Sequence, residues 1–110
     1  MRNRSEHSLA LYNRFVETLE SIGPFIFAPA KTRIGFQVRM IFAAINRMGS
    51  DFIDGHLILA RRCESKRFYK IELDTVHRFK IRRAEEIDAE FTELMQEAYR
   101  VGEQQRLFEK

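Results

Sequence analysis

The spacing of apolar residues changes twice along this chain, from helical spacing to alternation and back to helical spacing. The first and last segments place apolar residues three and four apart, whereas the long middle segment alternates or runs continuously apolar. This order predicts an α+β fold, because two helices can cover one face of an antiparallel sheet. We expect a two-layer sandwich with about four to five strands and with both helices packed on one face.

The first helix is predicted over Glu6–Ile22, with Ser5 as its N-cap. Gly23 and Pro24 end this helix, because glycine tolerates the left-handed C′ conformation and proline cannot continue the hydrogen-bond ladder. The predicted apolar stripe comprises Leu9, Tyr12, Val16 and Leu19, widened by Phe15 and Ile22.

The middle segment is expected to supply the sheet. The predicted strands cover residues 32–37, 40–47, 55–61 and 76–82. Residues 24–32 are expected to be extended, and residues 68–73 form either a short edge strand or an irregular crossing. In the last strand, alternation places Arg78, Lys80 and Arg82 on one face and His77, Phe79 and Ile81 on the other.

The last helix is predicted over Ala84–Gly102, with acidic residues in its first turn to complement the helix dipole. Its apolar seam comprises Ile87, Phe91, Leu94, Ala98 and Val101. The chain of 110 residues has the size of one domain, and we expect residues 1–110 to form a single unit. Residues 1–4 and 103–110 are expected to fray.

The charge is distributed unevenly along the chain. Residues 31–83 hold 13 basic and 5 acidic side chains, whereas residues 84–110 hold 3 basic and 8 acidic ones. An anionic partner would therefore be attracted to the predicted sheet. No apolar run reaches the ~20 residues that span a bilayer, and the N-terminus lacks a secretion signal. A lone Cys63 cannot form an intrachain disulfide, so we expect a cytoplasmic protein without a membrane partner.

Several short motifs together resemble a bacterial family known as domain of unknown function 5655, over roughly residues 9–102. The motifs are Lys31, Arg61-Arg62, Ser65-x-Arg67-Phe68, Ile71-Glu72, His77 and Glu97-Ala98-Tyr99-Arg100. This chain departs from the family pattern at Arg83, where Ser or Thr is usual before the last helix, and at Lys66, where Pro is frequent. The resemblance implies a compact α+β domain and lends no activity.

Basic residues form the clearest functional pattern in the predicted sheet. The candidate ligand-binding residues are Lys31, Arg33, Arg61, Arg67 and His77. Guanidinium groups bind phosphate and carboxylate groups bidentately, and Phe36, Phe68 and Tyr69 could add stacking surface for nucleic-acid bases. The alternative is a solvated sheet face whose charges discourage edge pairing.

Three functions therefore remain open. The first is a non-catalytic binding module for an anionic partner, either nucleic acid or a phosphate- or carboxylate-bearing ligand. The second is a protein-interaction domain or homodimer, suggested by an open sheet edge and by Leu107 and Phe108. The third is an enzyme that uses His77 with a carboxylate such as Glu72, although a core histidine explains the same pattern. The residue spacing predicts neither a metal site nor a cofactor site.

Overall fold

A computed structural model describes residues 6–104, in which two helices pack on a six-stranded antiparallel sheet. Helix α1 spans Glu6–Ile22, and helix α2 spans Ala89–Glu103 after a 3-10 turn at Ala84–Glu86. The strands are β1 (Ile26–Pro29), β2 (Ile34–Gln37), β3 (Ile41–Met48), β4 (Ile53–Ile58), β5 (Phe68–Glu72) and β6 (Val76–Ile81). The predicted α+β class is confirmed, with more strands than the four to five expected.

The strands are ordered β1-β2-β3-β4-β6-β5 across the sheet, and each neighbouring pair is antiparallel. The chain leaves β4 through residues 59–67, forms the edge strand β5 and returns as β6 beside β4. We call residues 59–67 the basic loop, because they include Arg61, Arg62, Lys66 and Arg67.

Two short edge strands account for the higher strand count. The segment expected only to be extended forms β1, whose residues pair from Ile26 with Gln37 to Pro29 with Ile34. Proline is tolerated there because an edge strand has one side without ladder hydrogen bonds. Residues 68–72 form β5, and the third predicted strand begins earlier than expected, at Ile53.

Helix α1 has the predicted bounds but a different buried face. Leu9 remains 38% exposed, whereas Leu11 and Ser8 are buried. Phe15 directs this orientation, because its ring packs 5.6 Å from the ring of Phe36 and 5.7 Å from the ring of Phe79. The predicted stripe was therefore centred about one residue position away from the true one. The predicted cap, Ser5, and the fraying ends, apart from Glu103 and Gln104, lie outside the described residues.

Helix α2 begins later than predicted because Asp88 caps it. The Asp88 carboxylate accepts a hydrogen bond of 3.0 Å from the Phe91 backbone N–H, which satisfies one of the free donors at a helix N-terminus. Arg83 offers no such bond to the preceding 3-10 turn. The predicted apolar seam is confirmed as buried, from Ile87 to Val101.

The two faces of the sheet have opposite characters. His77, Phe79 and Ile81 of β6 are buried beneath the helices, whereas Arg78 and Lys80 project to the other side, as the alternation predicts. We call this second face the open face, since neither helix of residues 6–104 packs on it. Its central row, which follows the strand register, is Gly35, Ala44, His56, Arg78 and Lys70.

Candidate functional site

The structure divides the five predicted site residues between the two sides of the sheet. Lys31 and Arg33 lie in the tight loop between β1 and β2, beside a depression at the end of β3 that Asn46 and Arg47 also line. On the helix side, Arg61 and Arg67 of the basic loop contact carboxylates of α2 and its cap, and His77 bonds the backbone of the same loop. Lys31 and Arg33 therefore lie together, apart from the other three.

Arg61 and Arg67 bind carboxylates of helix α2. The Arg61 guanidinium donates to Glu97 at 3.1 Å, and that of Arg67 donates to Asp88 at 2.7 Å and to Glu90 at 3.2 Å. The hydrogen bond to Asp88 is the main reason why the pKa of Arg67 is raised. These two arginines fasten the basic loop to the acidic helix, so their charges are already balanced within the molecule.

Arg62 is also paired within the molecule. Its guanidinium donates to Glu64 at 2.8 Å and to Asp74 at 2.9 Å. The hydrogen bond to Glu64, followed by that to Asp74, raises the pKa of Arg62. The three arginines of the basic loop thus share one arrangement, in which each contacts a carboxylate.

His77 is a core residue with both ring nitrogens bonded. It is 0% exposed, and its Nε2 accepts a hydrogen bond of 2.9 Å from the Cys63 backbone N–H. Its Nδ1 lies 2.8 Å from the Thr75 carbonyl oxygen, which fixes the neutral tautomer with the proton on Nδ1. Desolvation by burial lowers the pKa of His77, in keeping with this neutral state. Glu72 projects to the open face, so the enzyme grouping of His77 with Glu72 is not assembled.

Two depressions share lining residues near the end of β3, and the one that includes Asp54, Tyr69 and Arg78 is on the open face. One lies between the β1–β2 loop and the end of β3. The other has a volume of about 390 Å³ and lies beside Asp54, Tyr69 and Arg78. The two share Asn46 and Arg47 as lining residues. We call them together the cleft. Its charged and polar residues include Lys31, Arg33, Asn46, Arg47, Asp54, Tyr69 and Arg78.

Cations surround the cleft and are only partly balanced. Arg47 lies 3.8 Å from an Asp54 oxygen, and Arg78 lies 3.8 Å from a Glu72 oxygen, both at the outer limit of an ion pair. Within residues 6–104, the exposed side chains of Lys31 and Arg33 have no carboxylate partner. The cleft therefore keeps an excess of positive charge, whereas the arginines of the basic loop are balanced by carboxylates.

His56 lies beneath these cations on β4. It is 8% exposed, and burial, followed by the charges of Arg33 and Arg78, lowers its pKa to about 4. Glu72 and Asp54 oppose this shift less strongly. His56 is therefore neutral at pH 7, and an anion bound nearby would offset the positive field that keeps it so.

Hydrogen-bond acceptors form the inner part of the cleft. The Asp54 carboxylate is 6% exposed and accepts hydrogen bonds of 2.9 and 3.1 Å from the Tyr69 hydroxyl. The Asn46 amide nitrogen lies 3.3 Å from His56 Nδ1, while its Oδ1 is enclosed and has no hydrogen-bond partner within residues 6–104. The cleft thus has cations at its rim, while the unpaired Asn46 oxygen lies enclosed behind its surface.

Aromatic surface is smaller than predicted. Phe36 is 0% exposed and Phe68 is 7% exposed, because both face the helices, so the prediction that they offer stacking surface is wrong. Tyr69 is 53% exposed, and the Lys80 ammonium lies 5.9 Å from its ring centroid. One exposed ring does not make a platform for successive bases.

Sequence reasoning missed four residues of this region: Asn46, Arg47, Asp54 and His56. Asp54 and His56 alternate along β4, and this signal was hidden because the strand was predicted to begin at Gly55. Asn46 sits at an irregularity of β3, where the register shifts between Ile45 and Arg47. Neither a bulge nor its effect on side-chain direction can be read from residue types alone.

No helix within residues 6–104 has the length and apolar character needed to cross a membrane. Over the same residues, no group of three or more His, Cys, Asp or Glu side chains is arranged to hold a metal ion.

Comparison with known families agrees with the resemblance seen in the sequence. A family model described as a domain of unknown function (DUF5655) matches residues 1–102. Comparisons with curated proteins and with solved structures gave no match. Because the family description names no activity, function has to be inferred from the geometry of the chain.

Proposed function

We propose that this chain, which belongs to the DUF5655 family, is a small, non-catalytic binding module of the cytoplasm whose cleft takes an anionic ligand. The observation that carries the proposal is the unbalanced charge of the cleft. Lys31 and Arg33 lack a carboxylate partner within residues 6–104, and Arg78 has only a distant one. A carboxylate or phosphate group would supply the missing negative charge.

The energetics of the cleft favour an anion. Arg33 and Arg78 both act on the buried ring of His56, so their positive fields overlap there. An anion between them would relieve this repulsion and accept charge-assisted hydrogen bonds, which are about twice as strong as neutral ones. In the tautomer with its proton on Nε2, neutral His56 accepts from the Asn46 amide at Nδ1 and can donate from Nε2.

A small ligand suits the cleft better than nucleic acid does. A nucleic-acid backbone would need an extended row of free cations. The arginines of the basic loop are instead paired with carboxylates. The carboxylates that pair with Arg61 and Arg67 belong to the acidic helix α2 and its cap. The depression that Asp54, Tyr69 and Arg78 line has a volume of about 390 Å³, which falls in the range of small-molecule sites.

Calorimetric titration with pyrophosphate and with malonate tests this proposal. We expect Arg33→Gln and Arg78→Gln each to weaken binding by about tenfold, because each removes a charge-assisted hydrogen bond. Arg61→Gln is the matched control and should leave the affinity unchanged, since Arg61 bonds Glu97 on the helix side. Equal losses in all three variants, or no binding of either probe, would refute the proposal.

A single-stranded oligonucleotide provides the separate arm for nucleic acid. Binding that falls steeply between ~50 mM and ~200 mM salt would indicate many phosphate contacts. We expect weak binding without such a fall. A steep fall that Arg61→Gln also reduces would move the binding surface to the basic loop and favour the nucleic-acid function instead.

A second candidate function is self-association through strand β1. Its side chains Ile26 and Phe27 are 60% and 50% exposed, and an edge strand offers unpaired backbone groups to another chain. Sedimentation over a concentration series tests this function, with Ile26→Lys as the variant that should abolish a dimer. A monomer at every concentration would exclude self-association as the function of this edge.

A further inference from the structure

The depression beside the β1–β2 loop is a gap at the end of the sheet. β2 begins at Ile34, which pairs with Ile45, whereas β3 continues beyond that pair to Met48. The β1–β2 loop turns back instead of following β3, and the Ala30 N–H closes its turn with a hydrogen bond of 2.9 Å to the Arg33 carbonyl. The space between this loop and the end of β3 is left open, and we call it the notch.

The notch has an apolar lining of limited size. Ile34 and Met48 line it and are half-buried, since each also packs against the hydrophobic core. Ile45, which is 2% exposed, lines it as well. The notch has a volume of about 170 Å³, close to the ~150 Å³ of an engineered cavity that binds benzene. A short alkyl chain or a single six-membered ring therefore has the size that fills it.

Cations stand beside this apolar lining, and one of them connects the notch to the open face. Lys31 and Arg33 line the notch and are exposed. Arg47 lines both the notch and the larger depression that Arg78 lines, and its side chain is 65% exposed. A ligand in both depressions would lie along Arg47, whose aliphatic stem can contact an apolar group while its guanidinium contacts an acid group.

A simple anion would use only the charged part of this cleft. Pyrophosphate or malonate can balance the cations, but the apolar lining of the notch then stays in water. An uncharged hydrocarbon would cover that lining and leave the cations unbalanced. Small-molecule sites commonly combine an apolar lining with a few charged groups that fix the orientation of the ligand, and the two adjoining depressions provide this combination.

We propose that the ligand of the cleft is an amphipathic acid, whose acid group binds the arginines of the cleft while an apolar part of about six carbons lies in the notch against Ile34 and Met48. Short- and medium-chain carboxylic acids, aryl acids and their phosphate counterparts share this chemistry. The inference rests on the proposed function, because it names the class of anion that the same cleft prefers. Each methylene group that leaves water on binding should raise the affinity about twofold to fourfold.

An NMR titration with acetate, butyrate, hexanoate and octanoate tests the inference. The affinity should rise by about 20-fold or more from acetate to hexanoate, because the added methylene groups enter the notch. It should change little from hexanoate to octanoate, since a space of this size is then filled. Hexanamide has the same apolar chain without the charge, and it should bind about tenfold more weakly than hexanoate.

Three variants separate the apolar part of the ligand from its acid group. Met48→Gln keeps a side chain of similar length but makes the lining polar, so it should remove most of the gain from acetate to hexanoate. Leu9→Gln, the matched control, makes a similar change at a 38% exposed residue of α1 outside the cleft and should retain the gain. Arg78→Gln should weaken the binding of acetate and hexanoate by the same factor.

A readout in the unmodified protein does not depend on any variant. The methyl resonances of Ile34 and Met48 should shift more with hexanoate than with acetate, whereas Arg47 and Arg78 should respond to both acids and little to hexanamide. Equal affinities for acetate and hexanoate, an undiminished rise to octanoate, or a gain that Met48→Gln retains would overturn the inference while the cleft remains an anion site. If hexanamide binds as tightly as hexanoate, or if no acid binds, the proposed function fails as well.

Discussion

His77 and His56 lie on neighbouring strands but face opposite sides of the sheet. His77, beneath the helices, uses both ring nitrogens in hydrogen bonds, to Cys63 and Thr75. Within residues 6–104, His56, on the open face, is hydrogen-bonded only through Nδ1, to Asn46, and the charges of Arg33 and Arg78 act on its ring. Both rings are buried, so burial alone does not separate a structural histidine from a candidate ligand-binding one. The difference is whether neighbouring groups of the protein satisfy the hydrogen bonds and charges around the ring.

The arginines repeat this contrast. On the helix side, Arg61 and Arg67 each end at a carboxylate of α2 within 3.2 Å. On the open face, Arg47 and Arg78 lie 3.8 Å from their nearest carboxylates. The helix side therefore satisfies its polar groups internally, whereas the open face retains groups that an external partner can satisfy.

Replacement of His77 should have the largest effect on stability. We expect His77→Ala to lower the free energy of unfolding by about 4 kcal/mol, because it leaves a cavity and removes partners from the Cys63 N–H and the Thr75 carbonyl. His56→Ala should cost about 1 kcal/mol, since within residues 6–104 the ring makes a single hydrogen bond, of 3.3 Å, to Asn46. Urea unfolding measures both values. Equal losses of unfolding free energy in the two variants would contradict the view that only His77 is a structural residue.

The pH dependence of stability should carry the signature of His56. Its pKa is about 4 in the folded protein and near 6.5 when unfolded, so the unfolded chain binds more protons between these values. Stability should therefore fall by up to about 3 kcal/mol as the pH falls from 6.5 to 4. The difference in unfolding free energy between the wild type and His56→Gln isolates this contribution, because the carboxyl groups titrate alike in both proteins. Parallel stability curves for the two proteins would show that His56 is not buried neutral.

A smaller effect is expected for the arginine contrast. Arg67→Ala should destabilise the fold by about 1–2 kcal/mol, because its side chain, 23% exposed, fastens the end of the basic loop to the start of α2. Arg78→Ala should change stability by less than about 0.5 kcal/mol, as expected for a side chain with only distant charge partners. Thermal unfolding of both variants compares the two sides. A larger loss for Arg78→Ala would contradict the view that its charge is available for a ligand.

The sequence predicts the layers of this fold better than its cleft. Helix α1 and the alternation of β6 follow from the local spacing of apolar residues, because burial of those side chains stabilises the predicted element. The start of α2 was misplaced because the capping role of Asp88 competes with a run of acidic helix-forming residues before it. Of the candidate site, Lys31 and Arg33 were identified from their charge. Asn46 and His56 were not, because their environment depends on a bulge and on charges from separate strands.

The central claim is that anions bind the open face, and an NMR titration with pyrophosphate at pH 7 tests it most directly. We predict that shift changes concentrate in Asn46, His56 and Arg78, and that the pKa of His56 rises when the anion is bound. Arg61, Arg67 and His77 should be almost unaffected, since their polar groups are already paired. Changes centred on these three residues, with the cleft unchanged, would contradict the account.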